Sequence, residues 1–285
     1  MESADAIEQP GDPPVAPLYM RESAQVAAVS FVMFTATFLV TQTAPIGRPI
    51  GGWFERQLGR SLDKRALDRT VSGFALRLAT FLHNLIVIPL ALWALRDPAL
   101  WEDDLAGVTR LSEVTLGVAT GFFIFDAAAC GMRLKEEGFQ FLMHGALCAL
   151  FFTLTVLTGG FHFYGCAYLL WELSTAFVHL RWLLYKIGKA DTTAYVVNGL
   201  TMMASFFGCR IVWGTYVSYK FFVLSALYLG DPAQSHMHLT FWVLRGVCVG
   251  LSGLNLYWFG KMVEKAFELL APKKPPKAVP VKKEE

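Results

Sequence analysis

The chain has 285 residues, 54% of them hydrophobic and only 17% charged, with a formal net charge of +2. This balance excludes a soluble globular mixture and points to a polytopic helical membrane protein, with one bundle accounting for nearly the whole length. So small a net charge says little; the distribution of the charges along the chain says more.

Residues 1–23 are acidic and proline-rich (Glu2, Asp5, Glu8, Pro10, Asp12, Pro13, Pro14) and are expected to be disordered. The first apolar run begins near Ala24. A secretory leader starts with a basic region and has a shorter apolar core, so this run reads as a retained span. A span needs about 20 mostly apolar residues. Seven segments qualify, at 24–44, 73–95, 113–132, 140–158, 164–186, 193–217 and 239–262. In lipid the backbone must satisfy its own hydrogen bonds, and no alternating strand pattern is visible, so the fold class is an all-α transmembrane bundle of about seven spans. Residues 221–229 form a further apolar stretch too short to cross alone. It either extends the sixth helix or lies at the interface as a separate element, with Gly208 and Gly214 permitting a kink.

The basic residues of the loops set the orientation. The first loop, which completes a segment 24–68 of one span plus a basic cytosolic loop, carries Arg48, Arg56, Arg60, Lys64, Arg65 and Arg69. Arg133 and Lys135 mark the third loop, Lys186 and Lys189 the fifth. The second is acidic, with Asp97, Glu102, Asp103 and Asp104. With seven spans the alternation is regular, and it puts the N-terminus in the lumen and the C-terminus in the cytosol. Six or eight spans break it at one end.

The tail, 266–285, is basic, proline-rich after Ala271 and expected to be disordered. It ends Lys282-Lys283-Glu284-Glu285, which resembles a dilysine retrieval signal. That reading implies an endoplasmic reticulum membrane protein, cycling to the Golgi, with coat machinery as a partner; chance occurrence in a lysine-rich tail is the alternative. The five cysteines, Cys130, Cys148, Cys166, Cys209 and Cys248, lie in apolar runs at irregular spacing and read as small core residues. There is no Walker loop, no GxGxxG and no zinc-ligand spacing, so neither a metal nor a nucleic-acid partner is expected.

His83, Asp126, His144, Glu172, Asn198 and Arg210 each stand inside an apolar run. In membrane helices such groups face a bundle interior or a cavity, because exposing them to hydrocarbon is costly. Asp126, His144 and Asn198 lie within about 9 Å of the cytosolic ends of their helices and are expected to form one layer. His83, Glu172 and Arg210 lie deeper. Glu172 and Arg210 are expected to pair, with His83 near one of them, either at the polar end of a lipid cavity or as a clamp between helices. His144 and Asp126 form the candidate catalytic pair. An adjacent carboxylate orients an imidazole and raises its basicity, which suits proton abstraction from a hydroxyl or amine. An acyl chain is then expected to run inward among Phe141, Phe151 and Phe152. The alternative is that His144 only bonds a neighbouring helix.

Several ordered fragments carry a family resemblance. They are Phe122-Phe123-Ile124-Phe125-Asp126, Lys135-Glu136-Glu137-Gly138, Phe141-Leu142-Met143-His144, Glu172-Leu173-Ser174-Thr175, Leu180-Arg181-Trp182, Val197-Asn198-Gly199-Leu200 and Arg210-Ile211-Val212. Over 69–265 the set resembles the TLC domain family, which includes the ceramide synthases. The resemblance implies an endoplasmic-reticulum-type bundle with a lipid-related role, and a polar core that includes Ser174. The chain departs from the synthases twice. Their adjacent histidines are replaced by His144-Gly145, and their two aspartates three apart by Glu172 and Thr175. The chain therefore resembles the small non-synthase TLC proteins more closely. The expected function is binding or regulation of membrane lipids, affecting acyl-chain composition, sphingolipid handling or lipid distribution. One alternative is an N-acyltransferase using acyl-CoA and a sphingoid lipid, with acyl-CoA as substrate and no other cofactor. Another is a cargo receptor or transport adaptor.

Overall fold

The structure is a computed structural model and describes residues 22–270. The expectations for 1–21 and 271–285, including the retrieval lysines Lys282 and Lys283, lie outside the described residues. Among the described residues the chain is all-α, with no strand. Six helical runs are long and apolar enough to cross a membrane: α1 (Glu22–Thr41), α3 (Lys64–Ala94), α5 (Arg110–Met132), α7 (Phe139–Thr158), Thr193–Gly230 and Pro232–Glu268.

The expected fifth span, 164–186, is helical but broken. It is assembled from α8 (His162–Leu169), a 3-10 turn (Leu170–Ser174) and α9 (Thr175–Lys186). This broken run packs along the C-terminal half of α3. Tyr164 hydrogen-bonds Asp104 in the loop that follows α3 and α4 (Ala99–Glu102), and Trp182 stacks on Arg77 near the middle of α3. The sixth run is α10 (Thr193–Phe206), a π-helical segment (Phe207–Trp213) and α11 (Gly214–Gly230). Residues 221–229 therefore extend the sixth helix and are not a separate element. The last helix, α12 (His238–Leu270), continues into the segment expected to be disordered, and Glu22 and Ser23 already belong to α1.

Short elements cap the bundle. The basic first loop contains α2 (Ala44–Leu58), which buries Gly47, Gly51 and Phe54 on one face while Arg48 and Arg56 stay exposed. Phe54 meets Trp182 edge-on at 6.3 Å. That pattern, with apolar residues on one side and cations on the other, is that of an interfacial helix. The remaining short helices are α4 (Ala99–Glu102) and α6 (Leu134–Glu137). At the α4 end, Lys220 pairs with Asp104 at 3.0 Å and lies over the Phe163 ring. These bonds tie the acidic second loop to α11.

The closest helix pair is α1 against α5. Residues 117–121 read Gly-Val-Ala-Thr-Gly, the small-xxx-small spacing that lets backbones approach in lipid. A Cβ at Gly121 would lie 2.3 Å from the Ala27 carbonyl oxygen, and one at Gly117 2.6 Å from that of Ser23. Without this approach Phe34 could not reach the ring cluster of Phe122 and Phe125. Replacing Gly121 with Val is expected to cost about 1–3 kcal/mol through overpacking, seen as a lower unfolding temperature in mild detergent. Gly246→Ala, where no atom lies within 4 Å of the added carbon, should leave that temperature unchanged.

Candidate functional site

The site is built where two helices stop being α-helical. The 3-10 turn Leu170–Ser174 carries Glu172, and the π segment Phe207–Trp213 carries Arg210. Such departures from α geometry change which carbonyls are free to accept. Gly214 lets the two segments meet, since a Cβ there would lie 2.7 Å from Trp171 Nε1. Arg210 then spends its donors on two other helical runs. Its Nε bonds the Trp171 carbonyl and Ser174 Oγ, both at 3.1 Å. Nη1 bonds Asn255 Oδ1 at 3.2 Å. Nη2 bonds Glu172 Oε1 at 3.2 Å and Thr175 Oγ1 at 3.0 Å. The side chains of Arg210 and Glu172 are only 5% and 6% exposed, so each charge depends on the other and on these polar neighbours. The expected pairing of Glu172 with Arg210 is present, and Ser174 is part of it.

His83 is not part of it. Its ring stacks on Phe122 at 3.8 Å, and Nδ1 pairs with the neighbouring Asn84 Oδ1 at 3.1 Å. Asn84, not His83, reaches residue 172, with Nδ2 donating to its carbonyl at 3.5 Å. The helix face decides this: His83 points into the phenylalanine cluster around Phe34, one residue short of the polar face.

Beside the Glu172–Arg210 pair lies a cavity of about 1090 Å³, at the upper end of ordinary ligand-site volumes. It runs from Glu172 and Arg210 to loop-end residues such as Lys135, Lys186 and Ala190, with apolar walls that include Phe141, Val178, Met203 and Phe206. Asp126 and His144 both line it. Among the described residues no hydrogen bond joins them. Asp126 Oδ1 accepts from Cys130 Sγ at 3.8 Å, and His144 Nε2 lies 3.7 Å from Cys148 Sγ. His144 is flanked by the Trp258 and Phe123 rings. A second void of about 20 Å³, enough for about one water, lies behind His144 and Glu172, walled by Phe151 and Phe152. Of the three aromatic residues expected along an acyl chain, only Phe141 lines the large cavity; the other two line this void.

Gly145 explains the single histidine. A Cβ at this position would lie 2.8 Å from Asp126 Oδ2 and 3.1 Å from the Ala127 nitrogen. A second histidine does not fit while α5 and α7 pack as they do. Asn198 departs from the expected layer. Its Nδ2 donates to the Phe177 carbonyl at 3.0 Å, fastening α10 to α9, and it does not line the cavity.

Sequence reasoning missed a second charged centre at the cavity rim. Arg77 donates to Glu137 through Nη1 and Nη2, at 3.2 and 2.9 Å, and stacks on Trp182 at 4.1 Å. Arg133 adds two further bonds to the same carboxylate at 3.2 Å. Glu137 lies sixty positions from Arg77, so no local spacing signals the pair. His179 was also missed: it lines the cavity, and its Nε2 is buried with no partner among the described residues.

Burial alone pushes the Glu137 carboxyl up, but the Arg77 hydrogen bonds and the Arg77 and Arg133 charges outweigh it and hold the group below its ordinary 4.5. A depressed folded-state value means that Glu137 contributes stability above pH 4.5, lost as pH falls through the lower folded value.

The TLC domain profile matches residues 73–264. The chain belongs to the TLC domain family. With its six long apolar helices it is a membrane protein of that family. It is 25% identical over 186 residues to an uncharacterized TLC domain-containing protein of Schizosaccharomyces pombe, covering 64% of this chain and 61% of that one. It is 28% identical over 166 residues to Topoisomerase I damage affected protein 4 of Saccharomyces cerevisiae, covering 56% and 58%. To TLC domain-containing protein 4 of Homo sapiens it is 25% identical over 251 residues, covering 86% and 90%. The matches thus span about three fifths of the two fungal relatives and nearly all of the human one.

Two outcomes follow from these centres. Glu172→Gln or Arg210→Met alone should destabilise by about 3–5 kcal/mol, while the double variant should recover much of the loss, because only the singles leave a buried charge uncompensated; denaturation in detergent measures the cycle. Stability followed from pH 7 downward should decline below about 4.5, and Glu137→Gln should remove that part of the decline.

Proposed function

We propose that this protein binds a membrane lipid in the cavity between α3, α5, α7, α9, α10 and α12, and through it governs acyl-chain composition, sphingolipid handling or lipid distribution. The observation that carries the reading is one hollow with two kinds of wall. Its sides accept an acyl chain, and its inner end offers the polar groups of His144, Asp126 and Glu172. Glu172 Oε1 is taken by Arg210, and no donor reaches its Oε2 among the described residues, so this oxygen is available to a ligand hydroxyl or amide. The cations of loops one, three and five gather at the rim of the same cavity, and the positive-inside rule puts that rim in the cytosol. In that orientation the C-terminal lysines are cytosolic, which suits residence in the endoplasmic reticulum membrane.

A second reading, acyl transfer from acyl-CoA to a sphingoid base, is favoured by one observation: His144 and Asp126 face the same cavity. The lack of a bond between them and the steric exclusion of a second histidine make it the weaker of the two.

A single set of variants tests both. The purified protein should carry co-purifying lipid detectable by mass spectrometry, and Met203→Trp together with Val178→Trp should expel most of it. Wild-type protein free of lipid would sink the binding reading. Incubation with acyl-CoA and a sphingoid base should yield no ceramide; a product that disappears in His144→Ala would establish the second reading instead.

A further inference from the structure

The rim of the cavity holds more cations than its acids can neutralise, and one of them is fixed in place. The two acids that line the rim, Glu136 and Glu137, are taken, and two of the lining lysines are paired by acids outside it. Glu136 pairs with Arg69, Glu137 with Arg77 and Arg133, Glu264 with Lys261, and Glu268 with Lys265. Lys135, Arg181 and Lys186 also line the cavity, and none of the three has an ion pair or hydrogen bond among the described residues. Lys186 does no more than approach the Trp182 ring.

Arg181 differs from the two lysines because it is held. Its guanidinium lies 4.1 Å over the Tyr195 ring, and its Nη1 occupies the space above Gly199, where a Cβ would come within 2.7 Å. Half-buried and stacked on one face, it keeps its planar fork of donors unspent. A guanidinium so oriented matches the oxygens of a phosphate or carboxylate with two parallel bonds. Two further unpaired cations on the same rim favour the more highly charged of these anions. Arg181 lies nine positions from Glu172, or about 13 Å along the helical run. A head held at Arg181 therefore leaves its chain to descend past Val178 and Met203 toward the polar floor.

We propose that Arg181, seated by Tyr195 and Gly199, is the anchor for a phosphoryl-bearing head, so that the cavity selects phosphorylated acyl amphiphiles over uncharged ones. The proposal rests on the lipid-cavity reading above and adds the chemistry of the head. Two sources share that chemistry: a phospholipid headgroup, and the phosphates of a nucleotide-type acyl thioester.

The experiment uses the full chain in mild detergent and four probes with the same palmitoyl chain: lysophosphatidic acid, monoacylglycerol, palmitate and palmitoyl-CoA. Lysophosphatidic acid and monoacylglycerol differ only in the phosphate. At least one phosphoryl-bearing probe should bind about tenfold more tightly than monoacylglycerol, the amount expected from one charge-assisted contact. Arg181→Gln should abolish that preference without changing monoacylglycerol affinity. Arg181→Lys should restore part of it, and Gly199→Ala, which leaves the arginine in the chain but displaces it, should weaken it. The tighter of lysophosphatidic acid and palmitoyl-CoA identifies the source, and either supports the proposal. Equal binding of monoacylglycerol and the phosphoryl probes, tighter binding of palmitate than of both, or an Arg181→Gln variant that keeps the preference would overturn the anchor while leaving the lipid cavity standing. Failure of all four probes to bind would overturn the cavity reading as well.

Discussion

A guanidinium at membrane depth must find acceptors, and the way Arg210 finds them shapes the rest of this bundle. An uninterrupted α-helix keeps its carbonyls for itself. Here the broken run Leu170–Ser174 releases the Trp171 carbonyl, the π segment widens the helix at Arg210, and Glu172, Ser174, Thr175 and Asn255 complete the shell. The irregular backbone is tolerated because protein surrounds it. The 3-10 turn sets where α8 hands over to α9, and thus where the wall formed by α9 and α10 stands back from α3 and α5. The cavity opens beside this charge cluster.

The two charged centres divide the work. Arg210 with Glu172 forms the floor, deep and nearly closed to solvent. Arg77, Arg133 and Glu137 brace the rim, joining α3 to the α5–α7 turn and stacking on Trp182 of α9. Between them the walls are mostly apolar. A hollow braced at both ends by ion pairs keeps its shape without being filled by side chains, which a purely apolar interior in lipid does not ensure, since lipid tails compete equally for apolar contact.

Much of this was legible in the sequence because hydropathy is a long-range average. Six of the seven expected spans and the helical class follow from apolar runs alone, and the Glu172–Arg210 pair follows from the cost of leaving either charge alone at depth. What was not legible depends on rotation about helix axes. His83 and Asn84 are adjacent, and a turn of about 100° decides which meets the polar floor. Asn198 stands at the right depth and on the wrong face. Arg77 and Glu137 are each ordinary rim charges until the fold joins them. The break at Leu170–Ser174 has no proline or glycine within it, so nothing local marks the point where one expected span becomes two helices.

The contact between Gly145 and Asp126 also limits how this chain can change. Because the carboxylate occupies the space a larger neighbour of His144 requires, no single replacement at 145 can create adjacent histidines without displacing α5 or rebuilding position 126. Growth at position 145 is therefore coupled to the facing helix: a chain carrying only the change at 145 would be poorly packed against Asp126 and Ala127.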